Sequence, residues 1–350
     1  MDTITQSVLD KHFCVKDIRF MSIMESKGMD TCDGILGISP KNYNRHAFLA
    51  ELKIGGLIDR GIISFSNAYY KASFQQKEWA RDKHSYAIFG GINETQIVGG
   101  EEGLVSMPLV QGSKNPTDFW GVRTRGFAYG KTILMDPSSD DYLLGVVDSG
   151  TTLVIVPTVV YENLIHTMAE KFKHNKGIDM VCSRDIASNK IDHCYFNNTK
   201  CSGLMEKHAD DFDDLKFVFG NFEFTLKPPT LFRDSKNNVE KTGKRVPCCS
   251  LGIRHHKDDI ENPKRMRFLI GNIFLKNFYS VYDYDTQEVR LGVNTHSEGM
   301  ASIRPFRDGK SWTEGYQHIP KYFKTHLKKA EDDWKARETH DADNEEKSGQ

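Results

Sequence analysis

Among the side chains of this 350-residue chain, Asp148 sits in the setting best suited to chemistry. It opens the run Asp148-Ser149-Gly150-Thr151-Thr152, entered through Leu143-Leu144-Gly145-Val146-Val147 and left through Leu153-Val154-Ile155-Val156-Pro157. An acidic residue on a tight turn between two apolar strands is buried at its base and open at its tip. There the carboxylate's proton affinity is set by its neighbours rather than by bulk water, which suits general acid or base work. Asp, Ser and Gly are also ordinary turn residues, so the triplet alone reads as a turn and its surroundings must decide.

Elements that could position this turn are legible on both sides of it. After Pro157, Val160, Leu164, Met168 and Phe172 recur every four residues, the stripe of a helix packed on a core. Lys216-Phe217-Val218-Phe219 and Phe222-Glu223-Phe224-Thr225-Leu226 read as a hairpin around Gly220-Asn221. Tyr86 to Phe89 is a short apolar strand closed by Gly90-Gly91, and residues 118–135 give further strands. Residues 44–60 are helical in pattern, with Ala47, Phe48 and Leu52 on one face, and residues 7–24 alternate like strands.

Composition removes several function classes. The formal net charge is -1 with both signs interspersed, which argues against a nucleic-acid footprint. No stretch approaches the roughly 18 consecutive apolar residues of a membrane helix. Met1-Asp2-Thr3-Ile4-Thr5-Gln6 has neither the basic nor the apolar region of a signal peptide. His193, His208, His255 and His256 lie near cysteines, but no Cys-x-x-Cys spacing supports a zinc site, so neither metal nor cofactor is expected. A charged tail over 297–350 is expected, helical in part through Ile319, Tyr322, Phe323 and Leu327, then disordered from Glu331.

Three further blocks frame the Asp148 turn. Upstream stand Asp33-Gly34-Ile35-Leu36-Gly37-Ile38 and Ala87-Ile88-Phe89-Gly90-Gly91-Ile92-Asn93. Downstream stands Phe268-Leu269-Ile270-Gly271-Asn272-Ile273-Phe274-Leu275, continuing to Asp283 and followed by Gln287-Glu288-Val289-Arg290-Leu291-Gly292-Val293. In this order the four blocks resemble the pepsin-like aspartic proteases, from about Ser7 to Val293. The resemblance implies a mainly β, bilobal fold and an endopeptidase that acts on polypeptides as a monomer. It makes Asp148 the catalytic carboxylate. Ser149 matches a hydroxyl that bonds the opposite turn, Gly150 the tight backbone, and Thr151 and Thr152 positions beside substrate. Ile35-Leu36-Gly37 and Leu269-Ile270-Gly271 match the segments that pack beneath the two turns. Asn272 stands where the family often has Asp.

The resemblance also exposes an absence. Family members carry two Asp-Thr/Ser-Gly turns, one per lobe, and this sequence has one. Asp30-Thr31-Cys32 ends in a residue with a side chain where the turn takes glycine, and it abuts a block already assigned. No hairpin matching the family's Tyr-bearing flap fits before Asp33. The expected organisation is therefore an incomplete N-terminal lobe over 1–110, a complete C-terminal lobe over 111–296, then the tail. In the aspartic proteases generally, carboxylates about 3 Å apart cannot both ionise, so one takes a proton from water while the other donates. One Asp supplies only one of these roles at a time. A non-catalytic descendant that keeps its cleft as a peptide- or protein-binding surface is the alternative.

Cys182, Cys194, Cys201, Cys248 and Cys249 fall where the family's C-terminal lobe carries a disulfide, which implies pairing of one of the first three with one of the last two. Asn93 and Asn197 open glycosylation sequons, meaningful on a secretory route. The family points to a secreted, lysosomal or vacuolar compartment.

Overall fold

The computed structural model describes residues 34–40, 48–67, 85–110, 119–137, 142–172, 180–184, 191–238, 245–256, 267–306, 312 and 315–318. The fold is mainly β, with three sheets among these residues. The strands expected over 7–24, the alternative Asp30-Thr31-Cys32 and the helical stripe at 319–327 lie outside the described residues.

The largest sheet has ten strands and carries the Asp148 turn. Its main path runs Ile253–His255, Val154–Val156, Arg267–Ile270, Leu143–Val147, Gly121–Tyr129, Leu215–Phe219, Phe222–Leu226 and Ala301–Pro305. Off this path Thr132–Met135 pairs with Gly121–Tyr129 and with Gln317–His318. The expected hairpin forms with Phe219 opposite Phe222, and Gly220 takes the left-handed conformation (φ 55°) that glycine adopts without steric cost. Phe217, Phe219, Phe224, Phe274 and Phe278 fill the space beneath it, with ring centroids 4.5 to 5.8 Å apart. Against the sheet lies the helix Thr158–Phe172, whose Val160, Leu164, Met168 and Phe172 are all buried as their spacing requires.

A five-stranded antiparallel sheet follows the order Tyr86–Phe89, Ile62–Ser66, Phe278–Asp283, Glu288–Val293, Val105–Pro108. It interleaves chain from 62–108 with chain from 278–293, so one hydrogen-bonded ladder spans the boundary expected at residue 110. The helix Phe48–Ile54 packs on its edge through buried Leu49 and a Phe48–Phe89 ring contact at 5.4 Å.

The third sheet, Phe232–Asn238, Arg245–Leu251, Ile191–Asn197 and Met180–Arg184, carries both disulfides. Cys201 pairs with Cys249, one of the combinations the resemblance implies. Cys182 pairs instead with Cys194, because antiparallel register sets them opposite each other at a Cα separation of 4.1 Å. That leaves Cys248 as a buried thiol beside Ser235.

The stretch after residue 297 departs from the expected tail. Ala301–Pro305 is an edge strand on Phe222–Leu226. Glu223, 1 % exposed, accepts from Arg304 Nε and from Trp312 Nε1 at 2.8 and 2.6 Å. Buried Phe306 and Trp312 then pack on Ala128, Ile133 and Val218. A charged composition concealed this docking, because a few aromatic residues and one buried carboxylate are enough to hold the segment.

Candidate active site

The Asp148 turn is built by strand insertion. Leu143–Val147 leads into it and Val154–Val156 leads out, yet these two strands do not pair with each other. Arg267–Ile270 lies between them, parallel to the first and antiparallel to the second. The inserted strand satisfies the backbone groups of both neighbours and pins the turn from below: the Asp148 N–H donates to Ile270 O at 3.0 Å. Just past the strand, the N–H groups of Asn272 and Ile273 donate to Thr151 O and Thr152 O at 2.8 and 3.0 Å.

Gly271 makes this approach feasible. A Cβ there would lie 2.2 Å from Leu153 O and 2.3 Å from Thr151 O, inside the backbone of the turn. Its own backbone (φ -95°, ψ -165°) is one that other residues adopt, so what fixes glycine here is space. Leu269-Ile270-Gly271 thus packs beneath the turn.

Within the turn both oxygens of Asp148 are held. Oδ1 accepts the Gly150 N–H at 2.9 Å, and Oδ2 accepts Thr151 Oγ1 at 2.5 Å. Asp148 is half-buried, while Gly150 and Thr152 are exposed, so the carboxylate is anchored from its own loop and open above. A side chain at Gly150 would sit 3.2 Å from Oδ1, so here too space matters rather than a left-handed backbone. Below lies an aromatic cluster: Trp120 meets the rings of Tyr282 and Tyr284 edge-on at 5.3 and 5.2 Å, and its Nε1 donates to Ile38 O. Burial pushes the Tyr282 phenol far above its ordinary pKa, and the Asp148 charge adds to the rise.

Two expected roles find no counterpart among the described residues. Ile35 and Leu36 are 72 % and 53 % exposed in irregular chain, and an added Cβ at Gly37 would meet nothing within 4 Å. Among the described residues, nothing packs on Ile35-Leu36-Gly37 in the way expected beneath a turn. Apolar segments become core only when strands pair beside them and a layer covers them, and no described strand does this at 34–37. The Ser149 hydroxyl has no hydrogen-bond partner among the described residues; the residue acts through its carbonyl, which accepts from Asn272 Nδ2 at 3.1 Å.

Asn272 accepts in turn from Asn67 Nδ2 at 3.2 Å, just past the strand Ile62–Ser66. Nothing in the sequence marks Asn67, which lies 205 positions from its partner. Of the sequon residues, Asn197 is exposed, whereas Asn93 caps a short helix and donates through Nδ2 to Tyr86 OH. The histidines sit apart, His193 on Ser183, His208 on Asp211 and His255 on Thr158.

The pattern of the eukaryotic aspartyl proteases matches residues 5–294. The chain belongs to that family. It is 28% identical over 270 residues to the protein named "Probable aspartic-type endopeptidase CTSD" of Arthroderma benhamiae, covering 76% of this chain and 41% of that protein. It is 24% identical to gastricsin of Cavia porcellus over 73% of this chain and 52% of the other, and 22% identical to vacuolar protease A of Neurospora crassa over 74% and 51%. The chain thus spans about half the length of these relatives, or less.

Proposed function

We propose that this aspartyl protease family chain is the Asp148-bearing part of an aspartic-type endopeptidase. The observation that carries the reading is the Asp148 carboxylate itself, gripped at both oxygens by its own turn and open above. Held so, the carboxylate can draw a proton from a water that attacks a peptide carbonyl. Leu269-Ile270-Gly271 supports the turn, and Thr151 and Thr152 flank the place of a polypeptide substrate.

The acid half of the reaction needs a second carboxylate to share the proton. Among the described residues, the hydrogen bonds to the Asp148 carboxylate come from its own turn, and the sequence holds one Asp-Ser-Gly and no Asp-Thr-Gly. The same observation favours a second reading, a non-catalytic cleft that binds peptides or proteins. The 350-residue chain by itself should therefore leave casein or haemoglobin intact between about pH 2 and pH 6. Fusion to a first-lobe segment bearing Asp-Thr-Gly should give pepstatin-sensitive cleavage that Asp148→Asn abolishes. A fusion protein that stays inactive but binds peptides favours the second reading. Pepstatin-sensitive turnover by the chain alone, lost in Asp148→Asn, would refute the need for a supplied carboxylate.

A further inference from the structure

The carbonyl of Ser149 and the N–H of Gly150 belong to one peptide unit. That unit is planar, and in its trans form the two groups point in opposite directions. On one side, Asn272 Nδ2 holds the oxygen at 3.1 Å. On the other, the hydrogen points at Asp148 Oδ1, with a nitrogen–oxygen separation of 2.9 Å. Whatever fixes one end of the plane aims the other. Asn272 is itself fixed, because its Oδ1 accepts from Asn67 Nδ2 at 3.2 Å and its backbone N–H is bonded to Thr151 O.

We infer that Asn272 is a positioning residue for Asp148, acting through the 149–150 peptide plane, with Asn67 as its anchor on the neighbouring sheet. The chain of contacts runs Asn67 to Asn272 to the peptide plane to the Asp148 carboxylate. An amide suits the middle place because it donates to Ser149 O while accepting from Asn67. An ionised carboxylate at 272 has no donor and would confront the Ser149 carbonyl. An unbraced plane can rotate, and rotation withdraws the Gly150 N–H from Asp148. The inference rests on the reading of Asp148 as the reactive carboxylate, but the arrangement can be tested without turnover.

The test is NMR of the intact chain near pH 7, following the Gly150 amide by its proton shift and its exchange with water. Asn272→Ala and Asn272→Asp should each move the Gly150 proton upfield and speed its exchange about ten-fold or more, with the amides of Phe217 and Val218 unchanged. Asn272→Asp is nearly isosteric and ionised at this pH, so it separates loss of the donor from loss of volume and serves alone if the alanine variant fails to fold. Asn67→Ala should speed exchange about three-fold, and adding it to Asn272→Ala should change nothing further, because the relay is already cut. An unmoved Gly150 signal in Asn272→Asp, equal acceleration at Phe217 and Val218, or full additivity of the two alanine variants would overturn the inference. A chain that fails every hydrolysis assay yet shows the expected pattern keeps the relay and loses only the enzyme reading.

Discussion

Replacing Gly271 by Ala tests the architecture of the site most directly. The added Cβ would lie 2.2 Å and 2.3 Å from two carbonyl oxygens of the turn. A carbon and a carbonyl oxygen settle no closer than about 3.3 Å, so strand and turn must part by about 1 Å. Both partners are backbone, and neither can swing aside as a side chain would. The bonds from Asn272 N and Ile273 N to the turn, now 2.8 and 3.0 Å, would then exceed hydrogen-bond length. Losing two such bonds costs about 2 kcal/mol, and overpacking adds about 1–3. The expected total is about 3–5 kcal/mol, a large part of the 5–15 kcal/mol that typically holds a domain together. Denaturant unfolding followed by tryptophan fluorescence reads it. Gly37→Ala, where nothing lies within 4 Å, is the control and should stay within about 0.5 kcal/mol of the unsubstituted chain. A Gly271→Ala protein as stable as that control would show that the turn is not pinned from below as described.

Two further outcomes follow from the third sheet and from Lys276. Replacing Cys201 and Cys249 by Ser opens a loop with a sequence separation of 48 and should cost about 4 kcal/mol, against about 3 for Cys182 and Cys194 with a separation of 12; equal costs in denaturant unfolding would count against loop closure as the source. Burial lowers the Lys276 ammonium to about 8, so the folded chain releases this proton before the unfolded chain does. The penalty for the buried charge is full below pH 8 and fades as pH climbs from about 8 towards the ordinary lysine value near 10.4, so this residue makes stability rise with pH in that window. Lys276→Met should remove that slope and gain about 1–2 kcal/mol at pH 7; a stability difference from the unsubstituted chain that stays constant between pH 7 and pH 10 would refute the assignment.

The sequence by itself determined whatever is local or periodic. The stripe from Val160 to Phe172, the hairpin closed by Gly220-Asn221 and the strand from Tyr86 to Phe89 were legible because a 3.6-residue or two-residue period leaves its mark over a few positions. Asp148 was legible because apolar strands flank it and other blocks of the family pattern stand in order around it. Tertiary structure alone decided what depends on distant partners. Gly271 is required by carbonyls more than a hundred residues earlier in the chain. Ile35 and Leu36 carry the composition of core but are exposed, since burial belongs to a pair of surfaces and not to a residue. Cys182 found Cys194 through strand register, and Trp312 found Glu223 through a ladder that composition had hidden. The Asn67–Asn272 bond shows the reason most plainly. A hydrogen bond is fixed by a few ångströms of geometry, and a separation of 205 positions carries no trace of it until the sheets are assembled.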